Sequence, residues 1–426
     1  MCVRMPGGGA PGLAAGAAEV LVMHPTLINY GLTIRPNTPT IERITSHPAT
    51  LGEGRETMSF FFVRIDTDAG LSGWGEACDS YGCSYASVVA TIVDDVLAPL
   101  LVGQPLDAVE PLADRMRLFT RRRLGDQWAA VHARSAVELA LWDVAGKAAG
   151  RSVASMVGQV RDRVEVYASS VFLEEGPAEF HADLLAPLLA RGVTKVKVRV
   201  GPEWQADLAT LTTLRGLLGP GIELMVDGSE IFTLPTARTV AEALHALDVR
   251  WFEEPLPQGA RAGIESLARM SPVPIAYGEH LFGADEAIDA MRREQLQVLQ
   301  PDASTAGGLT EARRMAQAAV PFGVRVVPHV CAGPVSLAAN LALAATVPAI
   351  RLIEYPPSLA LSWATFAPTD PFGPDHLVDG CLAVPATTGL GVTVDPDALA
   401  AHPYRPPGAR VAGTVGGLPD RFVGDR

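Results

Sequence analysis

Val193-Thr-Lys-Val-Lys-Val-Arg-Val200 is an apolar, β-branched run carrying three basic residues on one parity. A helical pattern over 204–218 and a second apolar run, Glu223-Leu-Met-Val-Asp-Gly-Ser229, follow it. A short buried strand, an amphipathic helix and another short buried strand make a parallel βα unit. Outward from this unit the pattern repeats. Apolar strands are predicted at 164–170, 193–200, 223–229, 249–255, 274–280, 297–302, 325–330 and 351–355, with helical stripes such as 235–247, 284–293 and 310–319 between them. Eight such units predict a closed barrel. An open doubly wound sheet is the alternative, but its Gly-rich phosphate fingerprint is missing after the first strand.

The chain before the barrel reads differently. Residues 1–39 are Gly-, Pro- and Ala-rich without a period and read as an atypical, partly disordered extension. A strand at 41–45, a hairpin formed by 60–66 and 71–76, and helices at 86–101 and 128–149 make an α+β domain over 40–158. The barrel takes 159–356, and the irregular, Pro-rich 357–426 is expected to pack back on the first domain. With 48% hydrophobic and 19% charged residues the chain is globular, not disordered. A net charge of −13 and no basic run beyond Arg121-Arg122-Arg123 speak against nucleic acid. The most apolar stretch, 336–350, is interrupted by Asn340 and Pro348, so no membrane span is expected. Five cysteines without metal-ligand spacing suit a reduced, cytoplasmic protein.

Chemistry in a parallel barrel sits at the C-terminal strand ends. Strand two carries Lys195, Lys197 and Arg199 on one face. The next ends hold Asp227, Glu253 and Glu254, Glu279, Asp302, His329 and Glu354. Only three of the 34 basic residues are Lys, namely Lys147, Lys195 and Lys197, and two of them lie in this one strand. Carboxylates converging from three consecutive strands repel one another, and a divalent cation resolves this; hard oxygen ligands suit Mg2+. Asp302 beside His329 fixes the imidazole tautomer and raises its basicity.

Val226-Asp-Gly-Ser229, Trp251-Phe-Glu-Glu-Pro255, Gly278-Glu279, Gln300-Pro-Asp302, Pro328-His329 and Ile353-Glu-Tyr-Pro356 stand in order along the chain, after Glu138-Leu-Ala-Leu-Trp-Asp-Val-Ala-Gly-Lys147. This set resembles the enolase superfamily, and within it the mandelate racemase subgroup, over about 40–400. The resemblance implies an α/β fold, a modified TIM barrel (β/α)7β with an N-terminal α+β capping domain. It also implies a homo-oligomer acting on a small-molecule carboxylate substrate by Mg2+-assisted removal of the α-proton. Asp227, Glu253 and Glu279 would hold the metal and His329, paired with Asp302, would be the base. Glu354 would be an acid of raised pKa bonded to the substrate carboxylate.

Strand two departs from the family's Lys-x-Lys. Alignment on Gly192 and Gly201 favours Lys197 as the carboxylate-binding residue and Arg199 in place of a second base; the other register uses Lys195 and Lys197. Arg is a poor proton acceptor, so the favoured register leaves one base and suits an acid-sugar dehydratase giving a 2-keto-3-deoxy acid. The other suits a racemase or epimerase of a 2-hydroxy acid. A third reading is a catalytically silent barrel acting as a binding protein. Ser229 stands where some gluconate, galactonate and mannonate types have His. The family's two capping loops correspond to 47–56 and 78–85, where Arg55, Tyr81 and Tyr85 would meet substrate hydroxyls, with His280 and Cys331 lining the pocket.

Overall fold

The structure, a computed structural model, describes residues 38–406 apart from 53–56, 78–84, 107 and 370–371. The first domain is an antiparallel sheet of β1 (Ile41–Leu51), β2 (Met58–Thr67) and β3 (Ser72–Ala77) in that order. β1 runs beyond the expected 41–45 because its ladder with β2 continues to Leu51↔Met58. His47 to Leu51 are therefore strand, not capping loop. Phe60 and Phe62 meet Phe366 edge-on at 5.4 and 5.3 Å. Phe61, of the other parity, is also fully buried, so both faces of the sheet are covered. One cover is the helix Ala129–Ala149. It approaches β3 so closely that a Cβ on Gly75 would lie 1.8 Å from the Ala136 carbonyl oxygen.

Eight parallel strands follow. They are β4 (Arg163–Phe172), β5 (Lys195–Arg199), β6 (Glu223–Asp227), β7 (Val249–Glu253), β8 (Ile275–Tyr277), β9 (Val298–Leu299), β10 (Arg325–Val326) and β11 (Leu352–Tyr355). The ladder runs β10-β9-β8-β7-β6-β5-β4-β11. Glu354 N–H donates to the Pro328 carbonyl at 3.1 Å, joining β11 to the chain leaving β10 and closing the ring. A helix lies between each pair of consecutive strands, which gives (β/α)7β. The last strands are shorter than their apolar runs because Pro301 and Pro328, just past β9 and β10, have no N–H for a ladder.

Tyr167, Met225, Trp251, Ala276, Val298, Val327 and Leu352 form a buried cluster of their own inside the ring. The Tyr167 and Trp251 rings, from strands that are not neighbours, meet across it at 5.7 Å. This is the floor. Side chains alternate along a strand, so the next inward layer lies two residues on: Ser169, Asp227, Glu253, Gly278, Gln300, His329 and Glu354.

Past β11 the chain serves both domains. β12 (Cys381–Ala383) pairs antiparallel with β4. Leu390 N–H donates to Asp143 Oδ1 of the helix Ala129–Ala149 at 2.8 Å, and Arg405 N–H to Thr50 Oγ1 at 2.9 Å. Among the described residues no helix is long and apolar enough to cross a membrane.

Candidate active site

The β5–β6 register sets Lys195 level with Glu223, Lys197 with Met225 of the floor, and Arg199 with Asp227. Lys195 therefore lies below the floor. Its Nζ bonds Glu165 and stands 3.6 Å from Glu223, both about two-fifths exposed. The Lys197 stem passes the floor, where its Nζ lies 5.6 Å from the Tyr167 ring centre. The ammonium bridges Glu253 and Glu354, the latter at 2.9 Å. Burial would lower the Lys197 pKa, but the two carboxylates outweigh it and hold the pKa well above its ordinary value. Arg199 donates to Asp227 Oδ2 at 2.6 and 3.0 Å. Ser229 donates to Asp227 Oδ1 from its N–H at 2.7 Å and from its hydroxyl at 3.2 Å.

His329 Nδ1 faces Asp302 Oδ2 at 3.0 Å, and its Nε2 faces Glu279 Oε2 at 3.1 Å. Asp302 Oδ1 is fixed by the Ser304 N–H and hydroxyl, each at 2.7 Å, and by Asn340 Nδ2 at 2.8 Å. Burial works against the imidazolium, but the Glu279 and Glu354 charges, with Asp302 behind them, keep the His329 pKa well above its usual value. Glu354 corrects an expectation. Burial pushes toward the acid, yet the Lys197 and His329 charges prevail and its pKa is lowered, not raised. It is a carboxylate here, accepting from Val330 N–H at 3.2 Å.

Glu253 accepts from Gln300 Nε2 at 2.6 Å and Trp251 Nε1 at 3.1 Å. Burial pushes its pKa up to about 7; Lys197 opposes this, and Asp227, Glu354 and Glu279 add to it. That mutual repulsion among hard oxygen donors at adjoining strand ends fits a divalent cation such as Mg2+. As placed, Asp227, Glu253 and Glu279 lean on Arg199, Lys197 and His329. The groups whose ligand atoms gather within 4.8 Å, among the described residues, are Asp302–His329–Cys331 and Glu230–Glu254–His280.

Two participants, Asn340 and Glu76, had no sequence signal pointing here. Asn340 read only as an interruption of an apolar helix. Glu76 of β3 accepts the N–H groups of Gly333, Val335 and Ser336 at 2.6, 3.1 and 3.0 Å, so the first domain caps the helix Pro334–Thr346 just past His329. Glu138 does the same for Leu309 and Thr310 at 2.8 and 3.0 Å. His280 stands 3.2 Å from Glu254 and 3.7 Å from Glu279, with the Trp128 ring 5.0 Å away. Cys331 is buried. Arg55 and Tyr81 lie outside the described residues, and Tyr85 is exposed where the helix Ala86–Ile92 begins.

Residues 38–158 match the mandelate racemase / muconate lactonizing enzyme N-terminal domain, and 181–398 the enolase C-terminal domain-like family. An arabinonate dehydratase of Saccharolobus solfataricus is 28% identical over 81% of this chain and 91% of its own. A D-galactarolactone cycloisomerase of Agrobacterium fabrum is 29% identical over 79% and 89%. The crystal structure of a 3,6-anhydro-D-galactonate cycloisomerase from Zobellia galactanivorans superposes with a TM-score of 0.77 at 27% identity, over 86% of this chain and 100% of that one.

Proposed function

We propose, from the premise that the chain belongs to the enolase superfamily and its mandelate racemase subgroup, that it dehydrates an acid sugar to a 2-keto-3-deoxy acid. The observation that carries this is the single braced imidazole. His329 is held by Asp302 at one nitrogen and faces the acidic mouth with the other, while β5 offers Arg199 at that level. A two-lysine racemase needs Lys195 in the mouth, and Lys195 lies below the floor among Glu165 and Glu223. The arabinonate dehydratase relative agrees with this reading.

Asp227, Glu253 and Glu279 would hold Mg2+. When bound, the cation supplies positive charge against the substrate carboxylate and cancels the Glu279 charge that keeps His329 protonated. Lys197 presents its ammonium to the same substrate carboxylate. His329 Nε2 takes the proton from C2, while Asp302 keeps Nδ1 protonated and the ring in place. The imidazolium then returns that proton to the C3 hydroxyl, which leaves as water. The resulting enol rearranges to the 2-keto-3-deoxy acid. Arg199, tied to Asp227, holds a metal ligand in position and takes no proton.

A panel of aldonic and aldaric acids incubated with the protein and Mg2+ tests this. A keto acid trapped by semicarbazide from at least one of them is expected. Interconversion of stereoisomers without keto acid would replace the reading by a racemase, and Mg2+ binding without turnover of any acid by a binding protein.

A further inference from the structure

Cys331 is a thiol beside the proposed base that the proposed reaction leaves unused. It lies two residues past His329, in a segment held at both ends: Val330 N–H on Glu354 at 3.2 Å and Gly333 N–H on Glu76 at 2.6 Å. The sulfur, a ring nitrogen of His329 and a carboxylate oxygen of Asp302 all lie within 4.8 Å of one another, and all three residues are buried. Three donors saturate Asp302 Oδ1, so the carboxylate is oriented before any ion arrives, with Oδ2 turned to the imidazole.

We infer that Cys331, His329 and Asp302 form a second, inhibitory metal site for a borderline-soft divalent cation of the Zn2+ class. Sulfur, imidazole nitrogen and one carboxylate oxygen are a zinc donor set, whereas Mg2+ takes oxygen. A tetrahedral ion with bonds of about 2.0–2.3 Å needs its ligands roughly 3.5 Å apart, so from separations within 4.8 Å no pair need close by more than about 1.3 Å. The ion takes the thiolate and the neutral imidazole; the thiol proton, and the second ring proton where His329 carries one, go to solvent and nothing is oxidised or reduced. Bound there, it occupies the proposed base through donors other than Asp227, Glu253 and Glu279, so excess Mg2+ does not compete for its ligands. The inhibition rests on the reading of His329 as the base; the binding does not.

The experiment is a titration of the Mg2+-saturated protein with Co2+, a coloured stand-in for zinc. A thiolate-to-cobalt charge-transfer band saturating at one equivalent, bleached by Zn2+ and lost in Cys331→Ser, is expected. No such band, or a band unchanged in Cys331→Ser, overturns the site. If that variant does not fold, anomalous diffraction from wild-type crystals soaked in Zn2+ with Mg2+ present decides. Density between Cys331, His329 and Asp302 supports the site, and zinc confined to Asp227, Glu253 and Glu279 overturns it. Turnover in excess Mg2+ should fall at least tenfold at saturating Zn2+. Zinc seated at Cys331 with turnover untouched would keep the site and overturn the role of His329.

Discussion

Lys195 and Lys197 lie two residues apart on the same face of β5, yet they live in different media. Lys195 sits below the apolar floor with two half-exposed carboxylates, and Lys197 above it between two buried ones. The layer Tyr167, Met225, Trp251, Ala276, Val298, Val327 and Leu352 separates them. One advance along a strand thus turns an ion pair whose carboxylates reach water into a member of a closed charge network. Surface pairs contribute about 0–1 kcal/mol because water screens them. Removing one partner of a buried pair costs roughly 3–5 kcal/mol, because the other charge is left uncompensated.

The largest effect is expected at the mouth. His329→Asn should lower kcat by about 10³-fold, while Mg2+ binding followed by calorimetry stays intact. Near-normal turnover would remove the base from the account. Next, Lys197→Met should cost about 3–5 kcal/mol in denaturant unfolding, because Glu253 and Glu354 lose their shared cation, and turnover should disappear with it. A loss under 1 kcal/mol would erase the distinction between the two lysines.

A third test lies on the first-domain side of the barrel. Burial, then the nearby His280, pushes the pKa of His132 down to about 3. The unfolded chain takes up this proton below about 6.5 and the folded one does not until about pH 3. The neutral imidazole's contribution is thus complete above 6.5 and declines by about 1.4 kcal/mol for each pH unit below it. His132→Gln should flatten the stability profile between pH 6.5 and 4.5; identical slopes in both proteins would contradict this burial. The smallest effect belongs to Lys195→Met, under about 1 kcal/mol with turnover unchanged within roughly twofold. Loss of activity there would bring the two-lysine racemase back.

Position along a strand is what the sequence conveys well. Apolar runs at near-even spacing mark the strands, and alternation marks which residues face inward, so Asp227, Glu253, His329 and Glu354 were legible as one ring. The lysine register was less legible, since 195, 197 and 199 share a parity; Gly192 and Gly201 favour Lys197 with Arg199, and the pairing of Arg199 with Asp227 places that pair at the mouth. The charge on Glu354 was not legible either, because it depends on an ammonium reaching over from another strand. Asn340 and Glu76 act on partners far away in the chain. A polar residue in an apolar run announces that it must be satisfied, but not by whom.

Proton exchange in D2O tests the one-base reading most directly. With Mg2+ present, the C2 protons of both configurations of a substrate would be followed by NMR together with keto acid formation. The account predicts that one configuration loses its proton and emerges as a 2-keto-3-deoxy acid carrying solvent deuterium at C3, the other staying intact. Exchange in both configurations without keto acid would contradict it.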